Sequence, residues 1–149
     1  MLIREVMTET VVTAPPEQSV REIAEMMRER NVGSVVLIDQ ERPVGFLTDR
    51  DLTVSVIADG RDVSDHAADH ASSPVITANA EMQVEEAAEL MVRHGVRRLV
   101  IVDDDRLIGI LTLDDIASRT GDAELAAQLS ARVTRAVMPD FFFHERGDH

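Results

Sequence analysis

Gly45-Phe46-Leu47-Thr48-Asp49-Arg50-Asp51 returns 64 positions further on, from Gly45 to Gly109, as Gly109-Ile110-Leu111-Thr112-Leu113-Asp114-Asp115. Both stretches read Gly-x-x-Thr-x-x-Asp. The same offset, without a gap, aligns Thr13 with Thr77, Val20 with Val84, Met27 with Met91, Val32 with Val96 and Asp39 with Asp103. An ungapped register of that length marks a duplicated structural unit. A polar string at the end of an apolar strand in each unit suggests two related sites facing one cleft.

Working outward, Ser34 to Asp39 is a continuous apolar run of the kind found in strands buried on both faces. Gln40 to Pro43 is a polar turn, short enough for Val44–Thr48 to return antiparallel. Before these, Ile3–Met7 reads as a helical turn and Thr10–Thr13 as a strand. Ser19 with Glu22 forms a capping box ahead of a helix whose apolar face is Val20, Ile23, Ala24, Met27 and, more loosely, Met26. That helix ends near Asn31. Asp49 opens a helix to about Asp59 that buries Leu52, Val56 and Ile57, and Gly60 stops it.

The second unit repeats the order. Asp62–Ala71 is expected as a helical linker, Pro74–Thr77 as a strand and Val84–His94 as a helix ending at Gly95. Val96–Asp103 and Leu107–Thr112 follow as strands, and Asp114–Arg119 as a helix. Beyond Gly121 the repeat stops. Asp122 caps a further helix carrying Leu125, Leu129 and Val133, which Met138-Pro139 ends, and Phe141-Phe142-Phe143 comes after it. The reading is an α/β (α+β) chain of two repeats, residues 1–61 and 62–120, with a C-terminal helix and aromatic tail at 121–149. Each repeat is small enough that a core of its own is marginal, so the two are expected to share one.

Composition narrows the function. A net charge of −13 argues against gripping nucleic-acid phosphates. With no Cys, thiol catalysis, disulfides and Cys-type zinc sites are excluded. All 15 basic residues are Arg, so Schiff-base chemistry and the Gly-Lys-Ser/Thr phosphate loop are excluded too. No leader and no bilayer-spanning stretch is read, and a cytoplasmic location without a membrane partner is expected. The carboxylate pairs Asp49/Asp51 and Asp114/Asp115 lack a nucleophile with an adjacent base, so no enzyme is expected.

Thr48 sits where a strand ends, and Asp51 falls in the first helical turn beyond it. A hydroxyl and free helix N–H groups suit a phosphate, and a nearby carboxylate suits a ribose diol. The plainer alternative is that Thr48 and Asp51 only cap the helix. The presence of the pair in both units favours the binding role.

These strings, together with Val32-Gly33-Ser34-Val35-Val36-Leu37-Ile38-Asp39, Leu47-Thr48-Asp49-Arg50-Asp51-Leu52 and Val96-Arg97-Arg98-Leu99-Val100-Ile101-Val102-Asp103, resemble a tandem cystathionine-β-synthase (CBS) domain pair, the Bateman module, over about residues 3–120. The resemblance implies two β-α-β-β-α units packed by pseudo-two-fold symmetry. Clefts between their sheets would take AMP, ADP, ATP or S-adenosylmethionine as a regulatory ligand, with no required cofactor. It implies ribose contacts from Asp51 and Asp115 and phosphate contacts from Thr48 and Thr112. Val12, Thr13, Ile76, Thr77, Val32 and Val96 would flank the adenine. Arg97 and Arg98 stand where nucleotide-binding members often carry His or Arg, while the first unit has Gly33 and Ser34. The two clefts are therefore expected to differ, the arginine-bearing one taking the phosphorylated ligand. The opposing reading pairs both arginines with Asp103–Asp105.

His66 and His70 lie four apart and would make half a zinc site on a helix, but no third ligand has a clear position. Met26, Met27, Met82 and Met91 are packing residues. The Phe141–Phe143 triplet either folds back over the module or docks on a second copy or an unidentified protein partner, and docking within a homodimer is the favoured expectation. The regulatory reading has the ligand shift the halves and a partner read the shift. Its alternative is an interaction module in which the clefts are vestigial and the tail is the working part.

Overall fold

The computed structural model describes residues 1–137. The Met138–Pro139 stop, the Phe141–Phe143 triplet, His144 and His149 lie outside them. Helix α1 (Ile3–Val6) is followed by β1 (Thr13–Ala14), α2 (Val20–Arg30), β2 (Ser34–Asp39) and β3 (Arg42–Thr48). A helical segment, α3, starts as Asp49–Asp51 and continues in π-helical form over Leu52–Ala58. Then come β4 (Thr77–Asn79), α4 (Val84–His94), β5 (Arg98–Asp103), β6 (Arg106–Thr112), α5 (Leu113–Arg119) and α6 (Ala123–Val137). No helix among the described residues is long and apolar enough to cross a membrane.

The strands form two three-stranded sheets, β1-β2-β3 and β4-β5-β6. In each, the first pair is parallel and the second antiparallel, and the duplication extends to fine detail. Leu37/Ile38 and Ile101/Val102 carry the same register shift. Both hairpins turn on two residues with positive φ, Gln40-Glu41 and Asp104-Asp105, as the right-handed twist of the strands requires. Helix α2 ends on Asn31 and α4 on Gly95, both left-handed. Ser19 caps α2 by accepting from the Glu22 N–H at 3.2 Å. The Glu22 carboxylate accepts from the Ser19 hydroxyl rather than from its backbone, so the box is only half formed.

The expected single shared core is replaced by two cores, each assembled from both repeats. Ile3, Val6 and Met7 of the first repeat pack with Ala87, Leu99 and Leu111 of the second. Ala67 and Ala71 of the second pack with Ile23, Leu37 and Leu47 of the first. The exchanged segments also lengthen the sheets: Thr8 bonds reciprocally with Ile110 (2.8 and 2.9 Å), and Ser72 with Phe46 (2.9 and 3.1 Å). Glycine makes this possible. A Cβ on Gly109 would lie 2.9 Å from the Met7 sulfur and from the Thr8 carbonyl oxygen, and one on Gly45 would lie 3.2 Å from the Ala71 Cβ. Gly109 thereby admits the backbone of Thr8, and Gly45 the Ala71 side chain.

Four local expectations are corrected. The Asp62–Ala71 linker is a chain of turns with one 3₁₀ turn at Ala67–Asp69. Asp62 Oδ1 captures the Ser64 N–H and hydroxyl (2.8 and 2.7 Å), and Ala67 and Ala68 donate to Gln18 and Pro16 carbonyls, so the backbone bonds outward instead of into a helix. The first strand is Thr13–Ala14, and the Pro74–Thr77 strand begins only at Thr77. Ile57 is 73% exposed. Adjacent helix positions point in different directions, and Val56 takes the core side.

Helix α6 is capped as expected, Leu125 N–H donating to Asp122 Oδ1 at 2.9 Å. It buries Ala126, Leu129 and Val133, the last two within the core that holds Leu99 and Leu111.

Candidate functional site

Because β3 and β6 end at the same point of the repeat, Thr48 and Thr112 occupy equivalent corners, each starting a helix. Thr48 Oγ1 accepts from the Asp51 N–H at 3.1 Å, while the Thr48 N–H donates to Asp51 Oδ2 at 2.8 Å. Thr112 and Asp115 repeat this at 3.1 and 3.0 Å. The capping reading is thus geometrically correct. In the first copy it occupies only one oxygen of Asp51.

The corner at Thr48 opens into a cleft of about 400 Å³ between the two sheets. Its floor is apolar, from Phe46, Val75, Ile76, Val96 and Val100, and its polar rim carries Thr48, Asp51 and Ser72. Arg97 and Arg98, from the second repeat, line the same cleft as Thr48. Arg97 holds its place through backbone, its carbonyl accepting the Leu113 N–H at 3.0 Å. Both arginines are exposed, and neither makes an ion pair among the described residues. The pairing with Asp103–Asp105 is absent.

A third guanidinium, from Arg50, lines the same cleft and is likewise without an ion pair. Sequence reading passed over it, although the signal was present: the duplicate position holds Asp114, a charge reversal between copies. Ser72 and Pro74 were missed because they reach the cleft through the exchanged linker.

The corner at Thr112 opens into a much smaller cleft of about 170 Å³ lined by Thr8, Val12, Val32, Ser34, Ile110 and Thr112, among others. Displaced by 64 positions, each of these six becomes a residue lining the larger cleft. Among the described residues no charged side chain lines the smaller cleft, and Asp115 is buried beside it. Thr48, Asp51, Ile76, Val96, Arg97 and Arg98 are therefore brought together, Val12, Val32 and Thr112 form a second set, and Thr13 and Thr77 line neither cleft.

His66 and His70 do not share a helix face. His66 is an exposed cap, whereas His70 is buried, its Nδ1 2.5 Å from Ser55 Oγ and its Nε2 2.9 Å from Asp65 Oδ2. Among the described residues no group of three or more His, Asp or Glu side chains is arranged to hold a metal ion.

Comparison with known proteins matches this arrangement. The CBS domain family model matches residues 3–57 and 64–121. An uncharacterized protein of Methanopyrus kandleri, MK0525, is 44% identical over 117 residues, covering 76% of this chain and 60% of its own length. The CBS domain-containing protein YhcV of Bacillus subtilis is 37% identical over 115 residues, covering 77% and 82%. This chain thus spans less than two thirds of the first relative and most of the second. Among solved structures, the CBS domain protein PAE2072 from Pyrobaculum aerophilum, complexed with AMP, superposes with a TM-score of 0.75 at 27% identity, over 88% of this chain and 99% of that one.

Proposed function

The chain belongs to the CBS domain family, and we propose that it is a regulatory module taking a phosphorylated adenosine compound (AMP, ADP or ATP) into the larger cleft, with no catalysis of its own. One observation carries the reading. In a chain of net charge −13, three guanidiniums without ion pairs among the described residues line one 400 Å³ cleft, beside the Asp49 carboxylate and a half-free Asp51. The volume falls within the range of about 300–1,000 Å³ typical of small-molecule sites.

In this reading Val75, Ile76 and Val96 flank the base, and Asp51 Oδ1 accepts from the ribose. Thr48, Arg50, Arg97 and Arg98 take the phosphate, for which a guanidinium is a planar fork. The AMP bound by the Pyrobaculum relative supports this ligand class. S-adenosylmethionine, with its sulfonium cation, is disfavoured beside the arginines. The cleft draws on both repeats, so a ligand that binds one relative placement of the sheets better shifts the population toward it, by no more than its differential affinity. A homodimer would read out the shift. Val54 and Ile57 on α3 are 47% and 73% exposed, and they are where we place its contact.

The test is a thermal-shift panel of AMP, ADP, ATP, NAD, adenosine and S-adenosylmethionine. At a hundredfold excess over Kd a ligand stabilises by about 2.7 kcal/mol, or roughly 5–10 °C for a chain of this size. The phosphorylated adenosines should give that shift. A flat response to the whole panel would leave the clefts vestigial and favour a ligand-independent interaction module.

A further inference from the structure

The two clefts share a backbone, yet their carboxylates are in different states. Asp115 is 7% exposed. Its Oδ2 accepts from the Thr112 N–H at 3.0 Å, and the Thr8 hydroxyl, part of the exchanged N-terminal segment, lies 3.1 Å from Oδ1 and 3.3 Å from Oδ2. Arg119 Nε lies 3.7 Å from Oδ1, and Arg119 Nη1 donates to the Met7 carbonyl at 3.1 Å, so one guanidinium ties the carboxylate to the segment that carries Thr8. Both oxygens of Asp115 are engaged within the protein.

The duplicate positions do the opposite. Thr8 corresponds to Ser72, whose side chain makes no hydrogen bond to Asp51. Arg119 corresponds to Ser55, too short to reach Asp51 and turned instead to His70. Asp51 is left half-buried with Oδ1 open, in a cleft more than twice the size.

We infer that the chain carries one nucleotide site, and that Thr8 and Arg119 are the residues that keep the second cleft closed. The inference rests on the reading of the larger cleft given above. A volume of 170 Å³ is below the range of about 300–1,000 Å³ that small-molecule sites occupy. Asp115, the carboxylate beside it, is already satisfied within the protein, and a ribose would have to displace the Thr8 hydroxyl from it. Thr8 and Arg119 are thus specificity determinants: they decide which of two homologous clefts is usable.

Isothermal titration with AMP tests this on the intact chain. The expected stoichiometry is one AMP per chain, lost in Asp51→Asn. In the Thr8→Ala/Arg119→Ser double variant it should rise to two, with the second site the weaker because it lacks arginines. Two sites in the unaltered chain overturn the inference while leaving the ligand class intact. One site in a double variant that still melts cooperatively overturns the role of Thr8 and Arg119. No AMP bound by the unaltered chain overturns both the inference and the reading beneath it. If the double variant fails to fold, the stoichiometry of the unaltered chain and its loss in Asp51→Asn still decide whether there is one site and which cleft holds it.

Discussion

Replacing Arg97 by Ala removes one of three guanidiniums from the larger cleft, at an exposed position. A hydrogen bond to a charged group contributes about 1.5–3 kcal/mol. The exposed position calls for the lower end, because solvent screens the pair. A loss of about 1.5 kcal/mol is roughly a tenfold rise in Kd for AMP. Arg50 and Arg98 remain, so binding is weakened and not abolished. Adenosine lacks the phosphate and should bind the variant and the unaltered protein within about twofold of each other. Calorimetric titration of both ligands decides the matter. Salt offers an internal check, as the Debye length shrinks from about 10 Å at 0.1 M to about 3 Å at 1 M. AMP affinity should fall across that range and adenosine affinity should not. An equal loss for both ligands in Arg97→Ala would refute the phosphate role and make Arg97 a residue that shapes the cleft.

Gly109→Ala places a Cβ 2.9 Å from the Thr8 carbonyl, which is fixed by the reciprocal bonds to Ile110, and should cost about 1–3 kcal/mol in urea denaturation. Gly33→Ala meets only the exposed Asp49 carboxylate at 3.1 Å and should cost much less; equal costs would argue against the exchanged segment being the constraint. The Arg132 hydrogen bond (2.8 Å), and then its charge, hold the Glu89 carboxyl below its ordinary value. The α4–α6 tie is therefore fully present above the unfolded carboxylate pKa and is lost as pH falls through the folded one. An NMR titration should show the Glu89 midpoint rising in Arg132→Ala, and an unmoved midpoint would remove Arg132 as the cause. Ile57→Asp alters a side chain that is 73% exposed, so it should leave the melting temperature near that of the parent. It should reduce the sedimenting mass to that of one chain, and an unchanged mass would place the homodimer contact elsewhere.

The fold was legible in the sequence because its determinants are local. Apolar runs of strand length at Ser34–Asp39 and Val96–Asp103, helical spacing at Val20–Met27 and Val84–Met91, and left-handed stops at Asn31 and Gly95 each act within a few residues. The caps at Thr48 and Thr112 are equally local, and so they were read with the right partners. Where reading failed, long-range contacts had prevailed over local preference. The Asp62–Ala71 segment has helical composition, but its Ala67 and Ala68 N–H groups go to the Gln18 and Pro16 carbonyls.

By itself the sequence determined that there are two homologous clefts and that Arg97 and Arg98 set them apart. Only the tertiary structure decided which carboxylate remains free. Asp51 and Asp115 sit in the same Thr-x-x-Asp cap, and the one local difference that bears on the carboxylate is Arg119, four residues beyond Asp115, where the first copy has Ser55. The rest of the distinction comes from Thr8, 107 positions from Asp115, delivered by a segment that crosses to the other repeat. A hydroxyl that arrives from so far away leaves no trace in local periodicity, yet it satisfies one acid, while the Ser72 hydroxyl at the duplicate position makes no such bond and leaves the other open.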